Sequence, residues 1–230
     1  MSKHPAQALV FRGLMTPLAP REFYDARYHF DEDVERPNVE RVWRALRALE
    51  PLRGTAFLDL GSGVGWGAQL ALARGGATTA VGLDFSRRAL ALAQGHTPGA
   101  RWVQGDGAAL PFRDQAFDRA FSFGSLEHFP DVSRGLREAF RVLRPGGLAV
   151  VVVPNFYVRT GQPLEFRATR ARWEQLMRAA GFHVARVGTD AGPAILKNYR
   201  PGRILLRVLL RLVSLVPPLR YQFVFVLRRP

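Results

Sequence analysis

Asp59-Leu60-Gly61-Ser62-Gly63-Val64-Gly65 is the stretch from which the fold is read. The run before it, Ala56-Phe57-Leu58, is continuously apolar and predicts a buried strand. The run after it, Gly67-Ala68-Gln69-Leu70-Ala71-Leu72-Ala73, predicts a helix packed on that strand. Alternating glycines between them permit a tight turn and let backbone approach a ligand where a side chain would block it. The unpaired N–H groups at the start of the new helix favour an anionic or electron-rich group. A dinucleotide turn, G-x-G-x-x-G, wants glycine or alanine at its last position for close helix–strand contact. Trp66 occupies that position, so the pattern is D-x-G-x-G-x-G and the nicotinamide or flavin reading loses its packing glycine.

Two further strands deliver acids to the same sheet edge. Thr79-Ala80-Val81-Gly82-Leu83 ends in Asp84, where a carboxylate can accept hydrogen bonds from both hydroxyls of a ribose. Phe85 follows and offers a face for a purine ring. Arg101-Trp102-Val103-Gln104-Gly105 leads to Asp106, an acceptor for an exocyclic amine. Any one of these acids alone reads equally well as the cap of the next helix. Three on successive strands point to a nucleoside.

With these residues in hand, the chain resembles the class I S-adenosylmethionine-dependent methyltransferases, in their type 11 branch. Asp59 to Gly65 is similar to that family's first motif, and Val81-Gly82-Leu83-Asp84-Phe85-Ser86 to its second. Gln104-Gly105-Asp106-Gly107-Ala108-Ala109-Leu110-Pro111-Phe112 is similar to the third, and Phe117 to His128 to the fourth. Arg141-Val142-Leu143-Arg144-Pro145-Gly146-Gly147 resembles the helix–turn before strand five. The resemblance covers about Phe57 to Val187. It implies S-adenosylmethionine as cofactor, with Gly61, Ser62 and Gly63 at its methionine end and Asp59 positioning the amino group. It also implies Asp84 on the ribose, Phe85 on the adenine, Asp106 and the Gly107 backbone at the adenine edge, and Phe123 closing the site near the sulfonium. Trp66 is bulky for its place and narrows the mouth.

The remaining alternation predicts a doubly wound, seven-stranded, mostly parallel α/β sheet, the Rossmann-like methyltransferase fold, with helices on both faces and the ligand at the strands' carboxyl ends. Asn38 to Leu49, Ser86 to Gln94, Asp131 to Leu143 and Thr169 to Ala180 read as helices, the third stopped by Pro145-Gly146-Gly147. Leu148 to Val153 is an apolar run suited to a strand buried on both faces. Phe182 to Val187 reads as strand six, and Tyr221 to Leu227 as a last strand that the resemblance makes antiparallel. Residues 1–35 are expected to form an N-terminal extension, with the aromatic run Glu22 to Phe30 as a lid or as plain surface packing. Residues 36–230 form the methyltransferase domain, and 191–219 a basic amphipathic insertion before the last strand.

Composition bounds the function. The 230 residues carry no cysteine, which removes disulfides, thiolate metal sites and cysteine nucleophiles. The five histidines show no ligand-like spacing, so no metal is expected. A formal net charge of +14 would suit nucleic acid or an anionic membrane. Nearly all of it is arginine, which equally reflects compositional bias. Arg203, Arg207 and Arg211 recur every fourth residue on an otherwise apolar helix ending near Val216. Its 14 residues would reach roughly 21 Å, short of the ~30 Å hydrocarbon core. The stripe reads as a solvent-facing edge, or as peripheral membrane contact through 203–216, a lipid-facing cap or a dimer face.

A sulfonium methyl is already activated, so the protein's task is to align the acceptor and exclude water. Should the reaction need a base, Glu127 and His128 are the candidates by motif position, followed by Asn155 and Tyr157. The expected function is methyl transfer to a small-molecule or lipid-like acceptor, of the quinone-precursor or secondary-metabolite type, in the cytoplasm or at the membrane periphery. Methylation of RNA or protein is the rival, although the segment after strand four lacks the Asn/Asp-Pro-Pro-Tyr/Phe signature of amino-methylating nucleic-acid enzymes. A catalytically silent cofactor-fold binding protein is the reading without turnover.

Overall fold

The computed structural model describes residues 20–27, 32–156, 158, 162–190 and 221–230. The elements run α1 (Pro20–Arg27), α2 (Glu32–Leu46), β1 (Ala56–Leu60), α3 (Trp66–Ala73), β2 (Thr79–Asp84), α4 (Arg87–His96), β3 (Arg101–Gln104) and β4 (Phe117–Phe123). They continue with α5 (Val132–Val142), β5 (Leu143–Pro154), α6 (Arg170–Ala179), β6 (His183–Asp190) and β7 (Gln222–Arg228). The strands form one sheet in the order β3-β2-β1-β4-β5-β7-β6. β1 to β5 run parallel, and β7 is inserted antiparallel between β5 and β6. This is the expected Rossmann-like architecture. The order reverses between β1 and β4, and a crevice opens at that point beyond the strands' carboxyl ends.

Alternation along β5 shows why the sheet needs helices on both sides. Ala149, Val151 and Val153 pack into one apolar cluster with Leu136, Ala139 and Val142 of α5 and Trp173 and Met177 of α6. Val150 and Val152 pack into the opposite cluster with Val42 and Leu46 of α2 and Ala68 and Ala71 of α3. Successive side chains of a strand point to opposite faces, so a continuous run of valines covers both.

Local capping chemistry sets several boundaries. Ser86, Asp131 and Thr169 each accept a backbone N–H three residues on, at Ala89, Arg134 and Arg172, and so start α4, α5 and α6. Four expectations shift. α2 begins at Glu32 and gives way to a 3₁₀ turn at Arg47–Leu49. β3 stops at Gln104, so Asp106 stands in the following turn instead of at a strand end. Pro145-Gly146-Gly147 does not lie between α5 and strand five: α5 ends at Val142, and the strand starts at Leu143 and carries these residues through a register shift. β6 runs on to Asp190. The basic segment 191–219, with the helix expected at 203–216, lies outside the described residues, as do 1–19, Tyr28 and Tyr157.

Candidate functional site

The turn after β1 is held by the neighbouring strand before any ligand is considered. Gly61 and Ser62 both donate their N–H to Leu83 O, at 2.8 and 3.0 Å, and Gly63 donates to Asp84 Oδ2 at 2.9 Å. Asp84 Oδ1 accepts from Ser86 N at 2.9 Å, so one carboxylate fastens the ends of two elements. Asp59 Oδ2 accepts from Ala68 N at 2.9 Å and ties β1 to the first turn of α3. Asp106 turns back onto its own loop through Ala108 N at 2.8 Å. All three acids therefore cap local backbone. Each oxygen still keeps lone-pair capacity for a further donor.

Above this turn lies a cavity of about 680 Å³. Its wall holds Asp59, Gly61, Ser62, Gly63, Asp84 and Phe85 from the β1 and β2 ends, Asp106 and Gly107 from the loop after β3, and Phe123 from β4. The sequence-predicted binding residues thus meet in one place. Ser62 Oγ is buried without a hydrogen-bond partner among the described residues, and a buried hydroxyl left so awaits one. Gly61 sits at φ +71°, and a Cβ there would overlap the Ser125 hydroxyl. Only glycine lets the β1 and β4 ends close up at the strand-order reversal.

The two candidate bases separate. His128 lines the cavity, with Nδ1 3.0 Å from Pro163 O. Glu127 is buried behind the wall, its Oε1 3.9 Å from His128 Nε2. Asn155 is equally buried and closes its own turn, its Oδ1 accepting from Phe156 N at 2.9 Å.

Burial also sets the charge states. It pushes the Asp59 carboxyl up to about 7, opposed by the Ala68 N–H and helped by the Asp84 charge. Asp84 is raised by burial in the same way, with Asp25 adding to the effect against three backbone N–H groups. Glu127 is pushed by burial up to about 8, with Glu165 adding to the shift.

Part of the wall comes from outside the sequence-chosen binding residues, beginning with the aromatic run read as a lid or as surface packing. Tyr24 of α1 is buried, lines the cavity, and packs edge-on against Phe85 at 5.3 Å and His128 at 5.9 Å between ring centres. Ser86 Oγ donates to Asp25 while accepting from Ala89 N, so α1 is fastened to the start of α4. Ser125, Phe129 and Leu164 complete the side away from β2. Trp66 does face the mouth, tilted over His96 at 5.3 Å.

Comparison with known proteins follows from this geometry. The family model described as "Methyltransferase domain" (Methyltransf_11) matches residues 58–151, which run from β1 through most of β5. Residues 58–151 form a methyltransferase domain of the type 11 family. Among curated proteins, the methyltransferase domain is similar to "2-phytyl-1,4-naphtoquinone methyltransferase" of Thermosynechococcus vestitus, 37% identical over 120 residues, covering 50% of this chain and 53% of that protein. It is also similar to demethylmenaquinone methyltransferase of Corynebacterium kroppenstedtii, 38% identical over 152 residues, covering 60% and 64%. These matches take in about half to two thirds of the relatives' length. Among solved structures, an S-adenosylmethionine-dependent methyltransferase from Mesorhizobium loti superposes with a TM-score of 0.64 at 23% identity, covering 81% of this chain and 97% of that one. A phosphoethanolamine N-methyltransferase from Haemonchus contortus, in complex with S-adenosyl-L-methionine, superposes with a TM-score of 0.69 at 18% identity, covering 93% and 60%. Both share the fold.

Proposed function

We propose that the chain binds S-adenosylmethionine in this cavity and transfers its methyl group to a quinone-type small molecule. The observation that carries the reading is the convergence of Asp59, Asp84 and the orphaned Ser62 hydroxyl on one cavity at the strand-order reversal. Ser62 and the backbone of Gly61 and Gly63 would hold the methionine end, and Asp59 its amino group. Asp84 would accept from the ribose, Phe85 would cover the adenine with Tyr24 bracing it, and Asp106 with Gly107 would meet the adenine edge. When bound, the cofactor supplies an electrophilic methyl on a sulfonium. Phe123 would shield that end from water, which would favour in-line alignment of an acceptor. His128 lines the same cavity and is the residue we assign to take a proton where the acceptor must lose one.

Relatives named for naphthoquinone and menaquinone methylation support the acceptor class. The rival nucleic-acid reading draws on the net charge, yet much of that charge is engaged internally. Arg141 binds Glu138, Asp114 and two carbonyls, and Arg229 binds three carbonyls at the end of α5. No helix among the described residues is long and apolar enough to cross a membrane. We place the protein in the cytoplasm, with residues 203–216 as the segment that would meet a membrane surface holding an apolar acceptor.

Incubation with methyl-labelled donor and fractionated cell extract tests the reading. Label in the quinone-containing lipid fraction is expected. Label in RNA or protein would replace the acceptor class, and tight donor binding with no transfer to any fraction would make the chain a silent cofactor-fold protein.

A further inference from the structure

Gly124 separates the cavity from two polar groups that the reading above leaves unused. It lies in the cavity wall between Phe123 and Ser125 at φ +63°, and the nearest atoms to the Cβ it lacks are Gln222 Nε2 and Glu127 Oε1, each 3.8 Å away. Neither Gln222 nor Glu127 lines the cavity itself, and glycine leaves the space between them and position 124 free of a side chain.

The orientation of Gln222 is fixed from behind. Arg41 Nη2 donates to Gln222 Oε1 at 2.8 Å, which assigns the amide nitrogen to the side facing Gly124. Arg41 is itself held by Asp190, with Nε to Oδ2 at 2.9 Å, and its guanidinium lies 5.3 Å over the Phe123 ring. Among the described residues Gln222 Nε2 donates to no protein acceptor. Glu127 is 3% exposed, and its Oε2 has no hydrogen-bond partner among the described residues. A buried carboxyl in that state is held more cheaply neutral than ionised. Of the groups facing it, Glu165 opposes its ionisation, a protonated His128 at 3.9 Å would favour it, and Tyr221 and Arg41 stand nearby. A neutral carboxyl is an O–H donor.

We propose that Gln222 Nε2 and the Glu127 O–H together receive an oxygen of the acceptor in the side-chain-free space beside Gly124, making both residues determinants of acceptor specificity. The ligand chemistry that fits is a carbonyl or phenolic oxygen on a flat apolar ring, since the Phe123 ring lines the cavity next to Gly124. Glu127 then acts as a donor and not as a base. The inference rests on the quinone-type reading of the acceptor.

The test is equilibrium binding of 1,4-naphthoquinone, with naphthalene as the control lacking oxygen, to the full chain saturated with S-adenosylhomocysteine. Gln222→Leu and Glu127→Leu are each expected to weaken the naphthoquinone about tenfold, the scale of one lost hydrogen bond, and to leave naphthalene unchanged. Glu127→Gln keeps a donor and is expected to stay within about threefold of wild type. Wild-type affinity in both leucine variants overturns the proposal, as does equal loss in Glu127→Gln and Glu127→Leu, which would mean that the ionised carboxylate was needed. If Glu127→Leu does not fold, Gln222→Leu and Glu127→Gln decide the matter by the same criteria. Failure of the wild type to bind naphthoquinone overturns the proposal together with the acceptor class, whereas binding that is insensitive to the variants overturns the proposal alone.

Discussion

Ser125 Oγ occupies the space that a side chain on Gly61 would need, and the Ser125 Cβ lies 2.5 Å from that position. The two residues belong to the β1 and β4 ends, 64 positions apart in the chain, and their contact sets the width of the crevice. Gly61→Ala must therefore displace β4's end as well as adopt a left-handed backbone. A loss of about 2–5 kcal/mol is expected, combining the αL cost with overpacking. Chemical denaturation would measure it. The double variant Gly61→Ala/Ser125→Gly should recover the overpacking share and keep the backbone share; no recovery would mean that the contact does not limit the crevice.

A second expectation concerns Asp59 and pH. Burial holds its carboxyl up near about 7, so in the free protein it is largely neutral below that pH and ionised above it. An ammonium group of the cofactor pairs only with the ionised form. Affinity for S-adenosylhomocysteine should therefore tighten as pH rises from 6 to 8, and binding near pH 7 should release protons. Calorimetry in two buffers of different ionisation enthalpy reads that release. Asp59→Asn should bind more weakly with a flat pH profile; an unchanged slope would remove Asp59 from the amino-group site.

Glu127 gives a stability signature independent of any ligand. Its folded pKa of about 8 lies above the ordinary value of 4.5, so the folded protein holds a proton that the unfolded chain has already released. The stability it confers is present in full below about 4.5 and is lost as pH rises through 8. The unfolding temperature of the wild type should fall between about pH 5 and pH 8, with Asp59, also raised, contributing a share, and Glu127→Gln should make that fall shallower. A parallel fall in the variant would show that another group titrates.

How much of this was legible beforehand follows from sequence distance. The glycine turn, Asp84 with Phe85 and the valine run of β5 are each local patterns, and local patterns carry the periodicity and the caps. Each of the sequence-chosen binding residues lies on the one cavity. Asp106 was misplaced by two residues because Gly105 ends the strand pairing first. Pro145-Gly146-Gly147 was read as punctuation between helix and strand, but a register shift against β4 absorbs it within β5. Ser125, Arg41 and Gln222 escaped because their partners lie 64 to 181 positions away, and Tyr24, read only as lid or surface packing, finds Phe85 61 positions on. Nothing in Gln222's own neighbourhood signals that an arginine near the start of the chain turns its amide.

The Arg41 clamp bears on the timing of biosynthesis. Its partners, Asp190 and Gln222, lie 149 and 181 residues downstream, and Gln222 opens the strand that sits between β5 and β6. A ribosome-bound nascent chain already owns the β1, β2 and β4 ends long before that strand emerges. On the readings proposed above, the residues assigned to the donor are thus translated before Gln222, which the acceptor proposal needs.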